Sequence, residues 1–397
     1  MPATRSQRAE QIIRAATELF TESGYRNVSI EQIGAAVGLT GPAVYRHFTD
    51  KHEILVQALR AQIDLVARLH REAEMRGRTP EEALRLFLDG LGDLTANHHV
   101  SILWRREQRH LHRKQFEEMR GIFTGYGDYI AGKIAALRPD LSSDDARLLG
   151  FTVLSLYSNT NGTRGRMTPN RLMQVQRAVV RSVIDCALPR DDAAPGAAAA
   201  SRTRTWSPAG RRERILDAAA DLFAQRGFHD VRIDDIAHAA DVSVATFYQL
   251  VPGKTEVLHA ILVRGTEGML YDATRALARC APGEELDTLV ATFIGQMLSV
   301  HGRIVPIYTR DSVYLPEEAR AELTASSREH LAEWIAALRA RVASLTHDEA
   351  DTLANLFIGV IGDIVSAPDL RARPLIGADL TALANAILLP ADVVGRP

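Results

Sequence analysis

The strongest constraint in this chain is that it repeats itself. Residues 12–20 read IIRAATELF and residues 215–223 read ILDAAADLF. The offset of 203 holds without a gap through Gly24/Gly227, Val28/Val231, Ile33/Ile236, Tyr45/Tyr248, Lys51/Lys254 and Leu55/Leu258. Between Glu10 and Val56, 15 of 47 aligned positions are identical, too many for an ungapped chance match. The likeness resumes later with the offset moved to 204: Trp104-Arg-Arg-Glu-Gln-Arg-His-Leu111 answers Tyr308-Thr-Arg-Asp-Ser-Val-Tyr-Leu315. Whole units are therefore duplicated, not one short block. This predicts domains at 5–56 and 57–188, a linker at 189–209 rich in Ala, Pro and Asp, and a second pair at 210–259 and 260–397.

At 397 residues the chain exceeds what one core organises, which agrees with the duplication. Formal net charge is −2, so the surface is not basic throughout; only a local patch need be positive for contact with phosphate. The two cysteines, Cys186 and Cys280, are too few and too far apart for a metal cluster or a disulfide framework, as expected of a cytoplasmic protein. The start of the chain lacks an apolar export core, and stretches such as Leu353–Val365 are too short and too interrupted to span a bilayer, so no membrane partner is expected.

Within each unit the apolar spacing is helical and strand alternation is nearly absent, which predicts an all-α fold. Ile12, Ala16, Leu19 and Phe20 share one face, and Gly24 follows as a C-terminal cap that needs positive φ. Ser29 with Gln32 forms a capping-box pattern ahead of a short helix, Ile30–Val37. Gly38-Leu39 makes a turn, and Thr40 is expected to cap a third helix running to about His47, with Pro42 in its first turn. Gly41 and Ala43 are small, so the start of that helix can approach a surface closely. The geometry suits insertion into a DNA major groove, with Tyr45, Arg46, His47 and Lys51 near phosphates. Singly, Tyr45 reads equally well as a core tyrosine and His47 as a plain surface histidine.

The ordered set Gly24-Tyr25, Ser29, Ile33, Gly38-Leu39-Thr40, Tyr45-Arg-His-Phe48, Lys51 and Leu55 resembles the TetR family of bacterial transcriptional regulators. The resemblance covers both copies and is most specific in the first. It implies a three-helix head that binds double-stranded operator DNA, followed by a helical body for ligand binding and dimerisation. The tandem order, with Trp104-Arg-Arg-Glu107 and Leu111, is also similar to a smaller actinobacterial group of two-headed regulators tied to lipid, steroid or cell-entry operons. It implies a cytoplasmic, nucleoid-associated repressor that needs no cofactor or metal and is released by a small apolar or acyl ligand.

The second copy departs from the pattern. Arg232 replaces the capping Ser29, Leu250-Val251 replaces His47-Phe48, and Pro252-Gly253 precedes the lysine. Losing the cap is expected to cost roughly 1 kcal/mol. Ser243, Val244, Thr246, Tyr248, Gln249 and Lys254 keep the means to bind DNA, and Arg202, Arg204, Arg211, Arg212 and Arg214 form a basic arm before them. Two non-equivalent recognition helices, Gly41–His47 and Val244–Leu250, are expected. A degenerate second head that only supports structure is the alternative.

Helical stripes at Leu149–Tyr157, Leu172–Val183, Leu353–Val365 and Leu380–Leu388 supply four amphipathic helices from one chain. Family dimers use four such helices, so a monomeric pseudo-dimer is expected, with a homodimer as the other possibility. Candidate ligand residues are Trp104, Arg106, Glu107, His110 and Tyr157 in the first unit, with Tyr308, Arg310, Asp311 and Phe357 in the second. The same polar groups read equally as ion pairs that join head to body. No phosphate loop, nucleophile elbow, dinucleotide fingerprint or metal-spaced His/Cys set is present, so an enzyme is not expected. The remaining rival is a ligand-binding or scaffolding protein with a vestigial second head.

Overall fold

A computed structural model describes residues 5–97, 102–160, 166–190 and 208–395. The described residues contain helices, turns and loops but no strand. Two compact units emerge, Met1–Arg177 and Ala178–Pro397. Most of the expected linker, and with it Arg202 and Arg204, lies outside the described residues.

The first copy opens with α1 (Arg5–Ser23), which stops at Gly24 with φ 83°. Only glycine holds that conformation without Cβ strain. α2 (Ile30–Ala36) starts on the complete capping box read from the sequence: Ser29 Oγ accepts from Gln32 N at 3.2 Å, and Gln32 Oε1 accepts from Ser29 N at 2.7 Å. α3 (Gly41–Val44), α4 (Lys51–Arg76), α5 (Pro80–Asn97), α6 (Ile102–Glu107), α7 (Arg113–Leu137), α8 (Ser143–Asn159) and α9 (Pro169–Ile184) follow. The second copy runs α10 (Arg211–Arg226), α11 (Ile233–Ala239), α12 (Val244–Leu250), α13 (Lys254–Leu277), α14 (Glu285–Leu298), α15 (Ile304–Asp311), α16 (Glu317–Arg341), α17 (His347–Ser366), α18 (Pro368–Arg371), α19 (Ile376–Leu388) and α20 (Ala391–Val394). The expected borders at 56/57 and 259/260 fall inside α4 and α13, so one continuous helix carries each head into its body.

Head and body also share one core in each copy. Ile12, Phe20, Ile33, Val44, Phe48, Leu55 and Leu59 pack with Leu103, Leu111 and Met119 of the body. In the second copy Ile215, Phe223, Ile236, Phe247, Val251, Leu258 and Leu262 pack with Ile307, Leu315 and Leu323. Val44 and Phe48 in one copy become Phe247 and Val251 in the other. The large and small residues trade places one helical turn apart, which conserves core volume. This exchange is why the second head keeps its core although its motif has drifted.

The stretch Ile376–Val393 has the length and apolar composition of a membrane span. It breaks at Leu389-Pro390 between α19 and α20, and half of it packs inside the second unit.

The body of the second unit centres on Phe293, Trp334 and Phe357, whose rings meet at centroid distances of 5.1–5.8 Å. His330 joins them and accepts a hydrogen bond at Nε2 from the Trp334 indole N–H, at 3.2 Å. Burial pushes the His330 imidazole down to about 4. Because the unfolded chain then binds the proton more readily, His330 adds no penalty above its ordinary pKa near 6.5. Stability is lost as pH falls from there toward 4, by about 3 kcal/mol. Urea unfolding at stepped pH should show this loss, and His330→Gln should flatten it relative to wild type. Equal slopes in the two proteins would remove His330 as the cause.

Candidate nucleic-acid interface

Each head presents one short helix outward from this shared core. In the first, Gly38 turns the chain at φ 68°, and Gly41–Val44 forms a single helical turn. The expected helix to His47 is shorter than the spacing suggested: Arg46 N and His47 N bond to carbonyls three residues back, Ala43 and Val44, in the tighter 3-10 pattern. Pro42 gives no N–H, and Gly41 has low helix propensity, so this segment has little intrinsic helical drive. Thr40 occupies the N-cap position but its hydroxyl makes no capping bond, contrary to the sequence expectation.

The second head is the better-formed one. Asp241 takes the place of Gly38 and holds φ 53°. Ser243 Oγ then accepts from Thr246 N at 3.0 Å and caps a regular seven-residue helix, α12. Arg232 cannot accept from the amides of α11, but Asp235 Oδ2 accepts from Arg232 N at 2.8 Å. Half of the capping box therefore survives, which offsets part of the expected cost.

Of the predicted contact residues, Ser29, Thr40, Pro42, Tyr45 and Arg46 are exposed, as are Ser243, Val244, Tyr248 and Gln249. Tyr45 and Tyr248 are 54% and 55% exposed, far too open for core tyrosines. His47 and Thr246 are half-buried, and Gly41 is buried beneath Glu31.

Lys51 and Lys254 have a different place from the one expected. Lys51 Nζ donates to the carbonyls of Tyr25 at 3.0 Å and Val28 at 2.7 Å, and lies over the Tyr25 ring. Lys254 Nζ donates to Phe228 O and Val231 O, both at 2.7 Å, and lies over the Phe228 ring. Burial lowers the pKa of both, with Arg26 adding to the effect at Lys51. The lysine of the motif is thus a clamp across the loop after the first helix, and most of its donor capacity is spent inside the head.

The same loop meets the body. Tyr25 N donates to Glu107 Oε1 at 3.2 Å, the Tyr25 ring lies 5.0 Å from that of His110, and Glu107 Oε2 is 3.4 Å from His110 Nε2. In the second unit Tyr314 stacks on Phe228 at 6.1 Å and edges His229 at 4.2 Å, with Asp311 fully buried. Arg310 Nη2 donates to Phe223 O and Ala224 O at the end of α10. Glu107, His110, Arg310 and Asp311, proposed as pocket walls, therefore sit at the head–body junction. This is the place that the other reading, ion pairs with neighbours joining head to body, gave them: Glu107 and His110 pair beneath Tyr25, and Arg310 bonds to the backbone of α10. The Arg106 side chain lies outside the described residues. Trp104 packs on Phe116 and Phe123 beneath the head. Tyr157 is buried in the first body, next to Gly92, where burial raises its pKa. Tyr308 pairs with Ser327 Oγ at 3.2 Å, and Phe357 fills the aromatic core. Within each unit, the described members of this set occupy more than one place.

The junctions are unequal. In the second unit Arg303 bridges Asp217 and Asp221 of α10, and Arg264 pairs with Glu213. The positions matching Asp217, Asp221, Arg264 and Glu213 hold Arg14, Glu18, Ala61 and Glu10, so Asp217 and Arg264 have no like counterpart in the first copy.

Comparison with known proteins places this geometry in a family. The family model for bacterial regulatory proteins of the tetR family matches twice, at residues 12–58 and 215–261. The fatty acid metabolism regulator protein of Bacillus subtilis is 22% identical over 123 residues, covering 31% of this chain and 63% of that protein. The transcriptional regulator HbdR of Aromatoleum sp. is 38% identical over 63 residues, covering 16% of this chain and 28% of that one. The chain thus spans less than two thirds of the length of these relatives. Among solved structures, a TetR-family regulator from Bordetella parapertussis aligns with a TM-score of 0.40 at 23% identity, covering 46% of this chain and 93% of that one. The tetR-family head is thus present twice in this chain, and each copy leads into its own helical body.

Proposed function

We propose that this protein is a transcriptional regulator that binds double-stranded operator DNA through both heads, and that the heads contact non-equivalent half-sites. The observation that carries the reading is the state of the second head. Its core is restored by the Phe247/Val251 exchange, its recognition helix is capped by Ser243, and Tyr248 and Gln249 face solvent. A head kept only for support has no need of a capped, outward-facing helix. This favours two working heads over the scaffold reading.

The reading extends to repression, the family's usual mode, relieved by a small apolar or acyl ligand. The likeness to a fatty acid metabolism regulator supports a ligand of that class. Ligand binding would act by favouring a body conformation that re-aims the head through the junctions at Tyr25–Glu107 and Phe228–Tyr314. One chain supplies two heads, so the proposed operator-binding species is the monomer.

The test is retardation of the DNA upstream of the protein's own gene. Binding is expected to weaken steeply as salt rises from about 50 to 200 mM, as phosphate contacts require. Absence of any retardation at low salt would favour the scaffold reading.

A further inference from the structure

The two recognition helices differ where it matters for base readout. At about 100° per residue, Ala245 and Gln249 lie opposite the buried Phe247 on α12, Tyr248 stands to one side, and Val244 lies at the margin of the buried face. All four are exposed. The Gln249 amide makes no hydrogen bond within the described protein, so both its donor and its acceptor face outward. The corresponding positions of the first head carry Gly41, Pro42, Tyr45 and Arg46, of which Pro42, Tyr45 and Arg46 are exposed. The tyrosine is common to both. The residue after it is not: Arg46 stands where Gln249 stands.

That exchange has a definite meaning in the major groove. A guanidinium donates two parallel bonds to guanine O6 and N7, whereas a primary amide matches adenine by accepting from N6 and donating to N7. The start of the helix changes in the same sense. Val244 replaces a glycine that Glu31 covers, and it puts exposed methyl groups where a thymine C5-methyl offers apolar contact. We propose that the two heads read different base pairs at equivalent positions: a G·C pair through Arg46 in one half-site, and an A·T pair through Gln249, flanked by thymine against Val244, in the other. The operator is then asymmetric in sequence although the two heads share one fold. This rests on the DNA-binding reading above.

The experiment is selection of the full-length chain on a library of random double-stranded DNA, with sequencing of the bound fraction. The expected motif has two unlike halves, one with guanine and the other with adenine at matching places. Gln249→Arg should convert the adenine to guanine in its own half, by about tenfold or more in enrichment, and leave the other half unchanged. Arg46→Gln should do the converse. Both side chains are exposed, so neither change should disturb folding, and circular dichroism checks this. A palindromic motif with the same base in both halves overturns the inference while leaving DNA binding intact. So does a two-part motif that neither substitution alters. Enrichment of no sequence by the wild-type chain overturns the DNA-binding reading itself, and the inference with it.

Discussion

Phe357→Ala is expected to destabilise the second unit by about 3–5 kcal/mol, the range for removing a buried aromatic ring. Phe357 is wholly buried, with Phe293 at 5.5 Å and Trp334 at 5.1 Å between ring centroids. Alanine would leave a cavity bounded by two large, rigid rings that cannot close over it. Trp334 reports on this site directly once Trp104 and Trp206 are replaced by phenylalanine. In that background, urea unfolding followed by fluorescence should show a midpoint moved far down. A cost below about 1 kcal/mol would mean that the ring lines an open pocket, in keeping with its place among the candidate ligand residues.

Lys51→Ala is expected to cost the first head about 2–3 kcal/mol. It strips two carbonyls, Tyr25 O and Val28 O, of a charged donor and removes the cation from the Tyr25 ring. The damage should spread to the junction, since the same loop gives the Tyr25 N–H to Glu107. Lys51→Ala and Glu107→Ala should therefore couple in a double-mutant cycle, because both act through one short loop. If Lys51 served DNA instead, the variant would keep its stability and lose about one unit of the salt slope of binding.

These two residues mark where the sequence was readable and where it was not. The duplication, the helical class, the positive φ at Gly24 and the Ser29–Gln32 capping box all depend on local spacing, and local spacing is what a sequence displays. The role of Lys51 depends on carbonyls more than twenty positions earlier, and nothing in Tyr-x-His-Phe-x-x-Lys says which way the ammonium turns. The candidate ligand residues sit in different places for the same reason. Glu107 and Tyr157 are both polar groups in apolar surroundings, but one meets a head loop and the other a buried glycine. The Val44/Phe48 to Phe247/Val251 exchange was legible, since both pairs lie four residues apart in aligned blocks. It is visible only when the two positions are considered together; taken alone, Val251 looks like loss.

Drift of the motif has not loosened the second head. The second lost His47 and the capping serine at Ser29, yet it has the regular, capped recognition helix, and Arg303 and Arg264 pair with acids of α10. The first keeps the family signature on a looser turn.

The central claim is that one chain carries two working, unlike DNA-binding heads. Footprinting of the upstream DNA with Tyr45→Ala and Tyr248→Ala, each in the full-length chain, tests it most directly. Each tyrosine is exposed and should be removable without unfolding its head. The account predicts that wild type protects two adjacent half-sites of different sequence, and that each substitution weakens protection over a different one. Unchanged protection with Tyr248→Ala, alongside loss of the whole footprint with Tyr45→Ala, would contradict it.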